Sequence, residues 1–264
     1  MRIAVNASRA KSGGGIRHLK GILKNHPSFI GKDHEIHVWS YPKLLAEIKE
    51  ESYIVKHKAS FFNKKLPLQL IWEAFFLPQK IRKYNCDVLI NVDAGSVCPF
   101  NPSITISRDM LPFEPKAIEN FGIKFKLRQV VLRYVSCYSL NNASAAVFLT
   151  KYAAKTISKY LKKDLIYEII PHGVDKSFIL KNTIKYPEDK SSAVTITYVS
   201  PCLPYKNHKN VIKAIHRLRS LGYNLKLKMI GEITEFSRKE IANAVNKYDS
   251  NCKFITINEN VSQK

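Results

Sequence analysis

The chain has 264 residues, 45% hydrophobic and 11% aromatic, enough for one large domain or two smaller ones with apolar cores. Its formal net charge is +22, from 43 basic and 21 acidic residues; 12 of the basic and 5 of the acidic residues lie beyond position 192, so the excess is spread along the chain. Such a field favours polyanions (nucleic acid, anionic lipid headgroups or phosphorylated substrates) without choosing among them.

The five cysteines, Cys86, Cys98, Cys137, Cys202 and Cys252, are scattered and odd in number. No pair has C-x-x-C spacing, which argues against a disulfide framework or a cysteine metal site and for reduced thiols in a cytosolic protein. The N-terminus reads directly as a core strand rather than a signal peptide. No apolar run reaches the ~18–20 residues of a membrane span. The longest, Leu66 to Leu77, contains Glu73.

Strand and helix alternate along the chain. Ile3 to Ala7 reads as a strand, Ser12 to Gly15 as a turn, and Ile16 to Lys24 as a helix with apolar residues at Ile16, Leu19, Ile22 and Leu23. A strand at Glu35 to Ser40, a helix at Leu44 to Glu50 and a short strand at Tyr53 to Lys56 follow. Leu68 to Tyr84 reads as helix, and Asp87 to Asn91 and Ile104 to Ser107 as strands. Phe125 to Leu140 is a helix with a basic face. Ala145 to Leu149 is a strand, Lys151 to Leu161 a helix and Tyr167 to Ile170 a strand. This order predicts an α/β protein with a doubly wound, mainly parallel sheet. Residues 181–192 are polar, contain Pro187 and read as a linker. The alternation then restarts with Thr195 to Val199, Val211 to Leu221, Leu225 to Ile230, Glu235 to Tyr248 and Phe254 to Ile257. The expected domains are therefore 1–180 and 193–264, the second short for an independent fold.

Candidate chemistry collects after strands, where parallel sheets bind ligands. Glycines 13 to 15 allow a tight turn and close approach of a phosphate to a helix N-terminus, although the spacing is not G-x-G-x-x-G. Arg108 and Asp109 follow one strand, and Asp93 another. Such groups can orient hydroxyls or a phosphate, or simply close a loop. His172, in Pro171-His172-Gly173-Val174-Asp175, is a candidate acid or base, although such a residue is more often a loop hydrogen-bonder. Lys206 follows the strand ending near Ser200 and precedes a helix, where the helix N-terminus supplements its charge. His34 and His37 flank a strand without a third ligand, so no metal is expected there.

In this order these segments resemble the bacterial family 4 glycosyltransferases of the GT-B fold. The resemblance rests on the N-terminal strand with Gly13-Gly14-Gly15, on Met110-Leu111-Pro112-Phe113-Glu114, and on Ile170 to Asp175. It continues through Tyr198 to Asn207 and Lys226 to Glu232, covering nearly the whole chain. It implies two Rossmann-like doubly wound domains, the second incomplete: an acceptor domain and a domain for a nucleotide sugar such as a UDP- or GDP-hexose. It implies transfer with retained anomeric configuration, without a cofactor or dedicated metal. Gly14, Gly15 and Lys206 would meet the donor diphosphate, Arg108 and Asp109 would stand at the catalytic position, and Asp93 and His172 would face the cleft or acceptor. The Met-Leu-Pro-Phe-Glu stretch is similar to enzymes that build lipopolysaccharide O-antigen or capsule.

Three positions depart from the family pattern. Ser200-Pro201 stands where Gly-Arg is common, Arg108-Asp109 where His-Asp is common, and His172 replaces an Asn. Glu232 and Glu240 have a bare E-x7-E spacing, but Glu232 directly follows Gly231, too early for the family's paired glutamates. Those are expected beyond Lys264, so the resemblance implies a chain that stops within its donor domain and is inactive as encoded. Lys124, Lys126, Arg128 and Arg133 lie near Phe121, Phe125, Val131, Leu132 and Tyr134, a pattern suited to an anionic membrane surface carrying a lipid-linked acceptor, or to an ordinary solvated helix. Two other readings stay open: a non-catalytic acceptor- or membrane-binding half of a split transferase, and a basic nucleic-acid binder, for which no recognised module is present.

Overall fold

The computed structural model describes residues 1–10, 14–25, 34–59, 66–162, 164–174, 179 and 189–259. It forms two compact units, Met1–Glu114 with Leu127–Asp175, and Pro115–Lys126 with Lys176–Lys264. Most of the expected linker, including Pro187, lies outside the described residues, as do Ser12, Gly13 and Asp175.

The first unit holds a seven-stranded sheet: β1 (Arg2–Asn6), β2 (Glu35–Ser40), β3 (Ile54–Lys58), β4 (Val88–Asn91), β5 (Ser103–Ser107), β6 (Ala145–Phe148) and β7 (Tyr167–Ile169). Their order is β3-β2-β1-β4-β5-β6-β7, and every pairing is parallel. The chain winds one way from β1 to β3 and the other way from β4 to β7. The strand order thus reverses between β1 and β4, and this is where an open parallel sheet has a crevice at its C-terminal edge.

Both faces of this sheet are buried, as the runs of Ile, Val and Ala in β1 and β2 require. On one face Ile3, Val5, Ile36 and Val38 pack with Leu19 and Leu23 of helix α1 (Gly14–Asn25) and Leu44 and Leu45 of α2 (Pro42–Glu47). On the other, Ala4, Trp39 and Leu89 pack with Trp72, Leu77 and Ile81. Those last residues belong to one winding segment: α3 (Leu66–Ile71), a π-helical turn (Trp72–Phe76) and α4 (Leu77–Lys83). The sequence predicts an uninterrupted helix there. The widened turn begins at Trp72 and carries Glu73 into the interior, both side chains being buried.

Helix α5 (Ile123–Asn142) is longer than its apolar spacing predicts. Its exposed face differs from the expectation too. Phe121 is buried, stacking on Phe125 with ring centroids 4.2 Å apart and meeting Phe236 at 5.3 Å, and Leu132 is buried as well. Of the aromatics in that basic segment, Phe121 is thus buried and Phe125 half-buried, while Tyr134 stays exposed. The apolar residues left exposed on the first-unit part of α5 are Leu127, Val130, Val131, Tyr134 and Tyr138. Helix α6 (Lys151–Ser158) follows β6, its N-terminus capped by Thr150, whose Oγ1 accepts from the Ala153 N–H at 3.0 Å.

The second unit pairs β8 (Val194–Val199), β9 (Leu225–Ile230) and β10 (Ile255–Asn258) in the order β10-β9-β8, all parallel. Leu225, Leu227 and Met229 of β9 face α7 (His208–Ser220) and α8 (Glu235–Tyr248) through Ile212, Ile215, Ile241 and Ala244. Lys226 and Lys228 point the other way and are exposed, as alternation along a strand dictates. Gly231 ends β9 with φ +143, and a Cβ there would overlap the Ser200 carbonyl oxygen. Only glycine fits where β8 and β9 run out together.

Candidate functional site

The C-terminal ends of β1, β4 and β5 converge at the point where the strand order reverses. Their last residues, Asn6, Asn91 and Ser107, are all buried. Polar side chains there are held by one another: Asn6 Nδ2 donates to Asn91 Oδ1 at 3.2 Å and to Ser96 Oγ at 3.1 Å, and Asn91 Nδ2 donates to Thr105 Oγ1 at 3.3 Å. This lattice braces the loops that leave β1 and β4.

The loops after β1 and β5 bring two arginines to one carboxylate on the loop after β4. Arg9 donates to the Gly95 carbonyl, and its Nε lies 3.8 Å from Asp93 Oδ1. Arg108, just after β5, places Nη2 3.9 Å from Asp93 Oδ2. Asp93 itself accepts the Gly95 N–H at 2.8 Å, which fixes its loop. The Arg108 side chain is only 13% exposed, and its Nε has no hydrogen-bond partner among the described residues. Burial lowers its pKa while Asp93 and Asp109 oppose that shift. A guanidinium stays charged regardless, so Arg108 is a desolvated cation whose carboxylate partner stands beyond hydrogen-bond distance.

The first turn of α1 lies against this cation. A Cβ on Gly15 would sit 2.7 Å from Arg108 Nη1 and 3.0 Å from Nη2, whereas Gly14 faces open space. Glycine at 15 thus lets the guanidinium reach the end of the helix where backbone N–H groups are unpaired. One turn on, His18 packs edge-on against His172 with ring centroids 4.5 Å apart. Burial, then His172 and Arg108, hold the His18 pKa down to about 4. His18 is therefore neutral near pH 7.

Gly15, Arg108, Asp93 and His172, all singled out in the sequence, are brought into one neighbourhood. Asp109 is exposed and caps its own loop, its Oδ1 accepting the Leu111 N–H at 2.9 Å. Lys206 belongs to the second unit. It ends a short 3-10 turn (Pro204–Lys206) and is exposed, with Nζ 5.4 Å from the Tyr205 ring centroid. Its carbonyl accepts from Tyr198 Oη at 2.8 Å, and Asn207, at φ 56, turns the chain into α7. The sequence reading missed Arg9, His18 and the buried Asn6 lattice. Arg9 could have been found as a charged residue three positions past the end of β1. Among the described residues, no three His, Cys, Asp or Glu side chains gather as metal ligands.

No family profile matches the sequence, and no curated protein matches it significantly by sequence. Solved structures do match the fold. Anabaena HepE, crystallised with UDP-glucose, aligns with a TM-score of 0.65 at 13% identity over 99% of this chain and 70% of HepE. Sucrose-phosphate synthase from Thermosynechococcus elongatus aligns at 0.70, with 12% identity over 99% of this chain and 71% of that one. The chain has the GT-B fold. The lipopolysaccharide outer core galactosyltransferase WaaB also matches, with a TM-score of 0.62 and 14% identity over 99% of this chain and 69% of its own. At these identities the likeness concerns architecture. The GT-B frame places the Arg108 neighbourhood at the C-terminal edge of the first unit's sheet. No described helix is long and apolar enough to cross a membrane.

Proposed function

We propose that the chain is a glycosyltransferase that moves a hexose from a nucleotide sugar, such as a UDP- or GDP-hexose, to a growing surface polysaccharide with retention of configuration. The observation that carries this reading is Arg108: a buried, under-satisfied guanidinium beside the first turn of α1 at the reversal of strand order. An anionic ligand group there would complete its hydrogen bonding, and preorganised cations and backbone N–H groups stabilise a leaving diphosphate. In this reading the N–H groups at Gly14 and Gly15 and the ammonium of Lys206 bind donor diphosphate. Arg108 and Asp109 stand at the reacting centre, and Asp93 and His172 line the acceptor side. The acceptor is lipid-linked, and the protein works peripherally at the cytoplasmic face of a membrane. The exposed α5 residues Leu127, Val131, Tyr134 and Tyr138, flanked by Arg128, support that last point.

The test is transfer from a panel of UDP- and GDP-hexoses to lipid-linked and free glycan acceptors, with the product anomer read by NMR. Retained configuration supports the assignment and refutes inactivity of the chain as encoded; inversion removes the retaining mechanism; transfer from no donor together with binding of none removes the transferase reading.

A further inference from the structure

Glu73 is fully buried in the π-helical turn, in a cage of polar groups contributed by three elements. Gln69 Nε2, from α3, lies 3.0 Å from Glu73 Oε1, and the Val97 N–H, from the loop after β4, donates to Oε2 at 3.3 Å. Ser8, from the loop after β1, places Oγ 2.8 Å from Oε1. That same Oγ lies 2.7 Å from Asn6 Oδ1.

A hydroxyl has one hydrogen, yet Ser8 Oγ has two oxygen neighbours at short hydrogen-bond distance. The orientation of the Asn6 amide is fixed, because its Oδ1 accepts the Ser8 N–H at 3.3 Å and its Nδ2 faces Asn91 Oδ1. Asn6 Oδ1 is therefore an acceptor and cannot supply the missing hydrogen. If Ser8 donates to Asn6, the hydrogen between Ser8 and Glu73 must come from the carboxyl.

We infer that Glu73 is held as the neutral acid at neutral pH, donating from Oε1 to Ser8 Oγ, which in turn donates to Asn6 Oδ1. The remaining oxygen, Oε2, is then the carbonyl that accepts from Val97, so every polar atom of the carboxyl has a partner. This relay locks Asn6, and through Asn91 and Ser96 it sets the loop that carries Asp93. Glu73 is a positioning residue: it touches no expected ligand and acts through Ser8 and Asn6. Burial raises its pKa; the charge of Arg9 and the Gln69 and Val97 donors oppose that shift, as would the Ser8 hydroxyl if its hydrogen turned from Asn6 to the carboxylate. Cys98 lies nearby, and burial pushes its thiol up to about 12. Ionising Glu73 would make it compete with Asn6 for the single Ser8 hydrogen.

The experiment is infrared spectroscopy of the 264-residue chain in H2O and D2O at neutral pH, with thermal melts as a function of pH. A protonated-carboxyl C=O band is expected in the parent protein and absent in Glu73→Gln. A group whose folded pKa is raised contributes stability that is lost as pH rises through that pKa. The melting temperature of Glu73→Gln should therefore gain on that of the parent as pH increases above 4.5, the ordinary carboxyl value. Ser8→Ala provides a second reading should Glu73→Gln not fold: it should shift the band without abolishing it. A neutral-pH spectrum lacking the band, parallel melting profiles for parent and Glu73→Gln, or a band unmoved by Ser8→Ala would each overturn the inference.

Discussion

Replacing Gly15 by alanine separates the two roles of the first turn of α1. A Cβ there would lie 2.7 Å from Arg108 Nη1, against a comfortable carbon contact of about 3.5 Å. The guanidinium must withdraw by roughly 0.8 Å. It is the far end of a flexible side chain, so the withdrawal costs the fold little. Alanine also favours helix over glycine by up to about 1 kcal/mol. Stability should therefore hold or rise slightly. A charge-assisted hydrogen bond from Arg108 to a ligand anion is worth about 1.5–3 kcal/mol, so its misplacement weakens binding roughly 10- to 100-fold. Thermal melts and calorimetric titration with UDP- and GDP-hexoses measure both quantities on one sample. A variant that binds as tightly as the parent, or that loses stability instead of affinity, would refute the reasoning.

Other positions give sharper structural tests. Gly231→Ala forces a Cβ into the Ser200 carbonyl at φ +143; it should lower stability by about 2–3 kcal/mol, seen as a reduced denaturant midpoint. His57, whose ring nitrogen lies 2.9 Å from His37 Nδ1, has its pKa lowered from 6.5 to about 4 by burial, then His37 and Lys80, with Glu35 opposing. The unfolded chain then binds a proton that the folded one refuses, so stability falls as pH drops from 6.5 toward 4. For a half-exposed ring the loss is about 1 kcal/mol; His57→Gln should flatten that part of the melting-temperature profile. Leu127→Glu with Tyr134→Glu, on the exposed face of α5, should reduce sedimentation with anionic vesicles at least about tenfold while leaving the melt unchanged. Equal sedimentation of variant and parent counts against membrane docking.

The sequence made the strand–helix alternation legible because β1, β2 and β9 carry period-2 or continuous apolar runs and α1 and α7 carry helical spacing. It placed Gly15, Asp93 and Arg108 at strand ends, which is as far as local pattern reaches. What it could not show is which strand ends meet, because β4 is the fourth strand in sequence yet lies beside β1. Arg9, Asp93 and Arg108 become neighbours only through that reversal. The π-helical turn was invisible for a related reason: Trp72 and Glu73 face inward only because one turn is widened, and helical periodicity does not encode that. A lone carboxylate in the apolar run Leu66 to Leu77 was the one available signal. Phe121 and Phe125 show the same limit: beside basic residues they read as membrane anchors, and their tilted contacts with Phe236 are distant in sequence.

The central claim is that the buried Arg108 cation awaits the anionic group of a nucleotide sugar. Calorimetric titration of the 264-residue chain and of Arg108→Ala with UDP- and GDP-hexoses tests it most directly. The account predicts saturable binding of at least one donor by the parent and a loss of roughly tenfold or more in the folded variant. Binding that is indifferent to Arg108, or no binding of any nucleotide sugar by the folded parent chain, would contradict it.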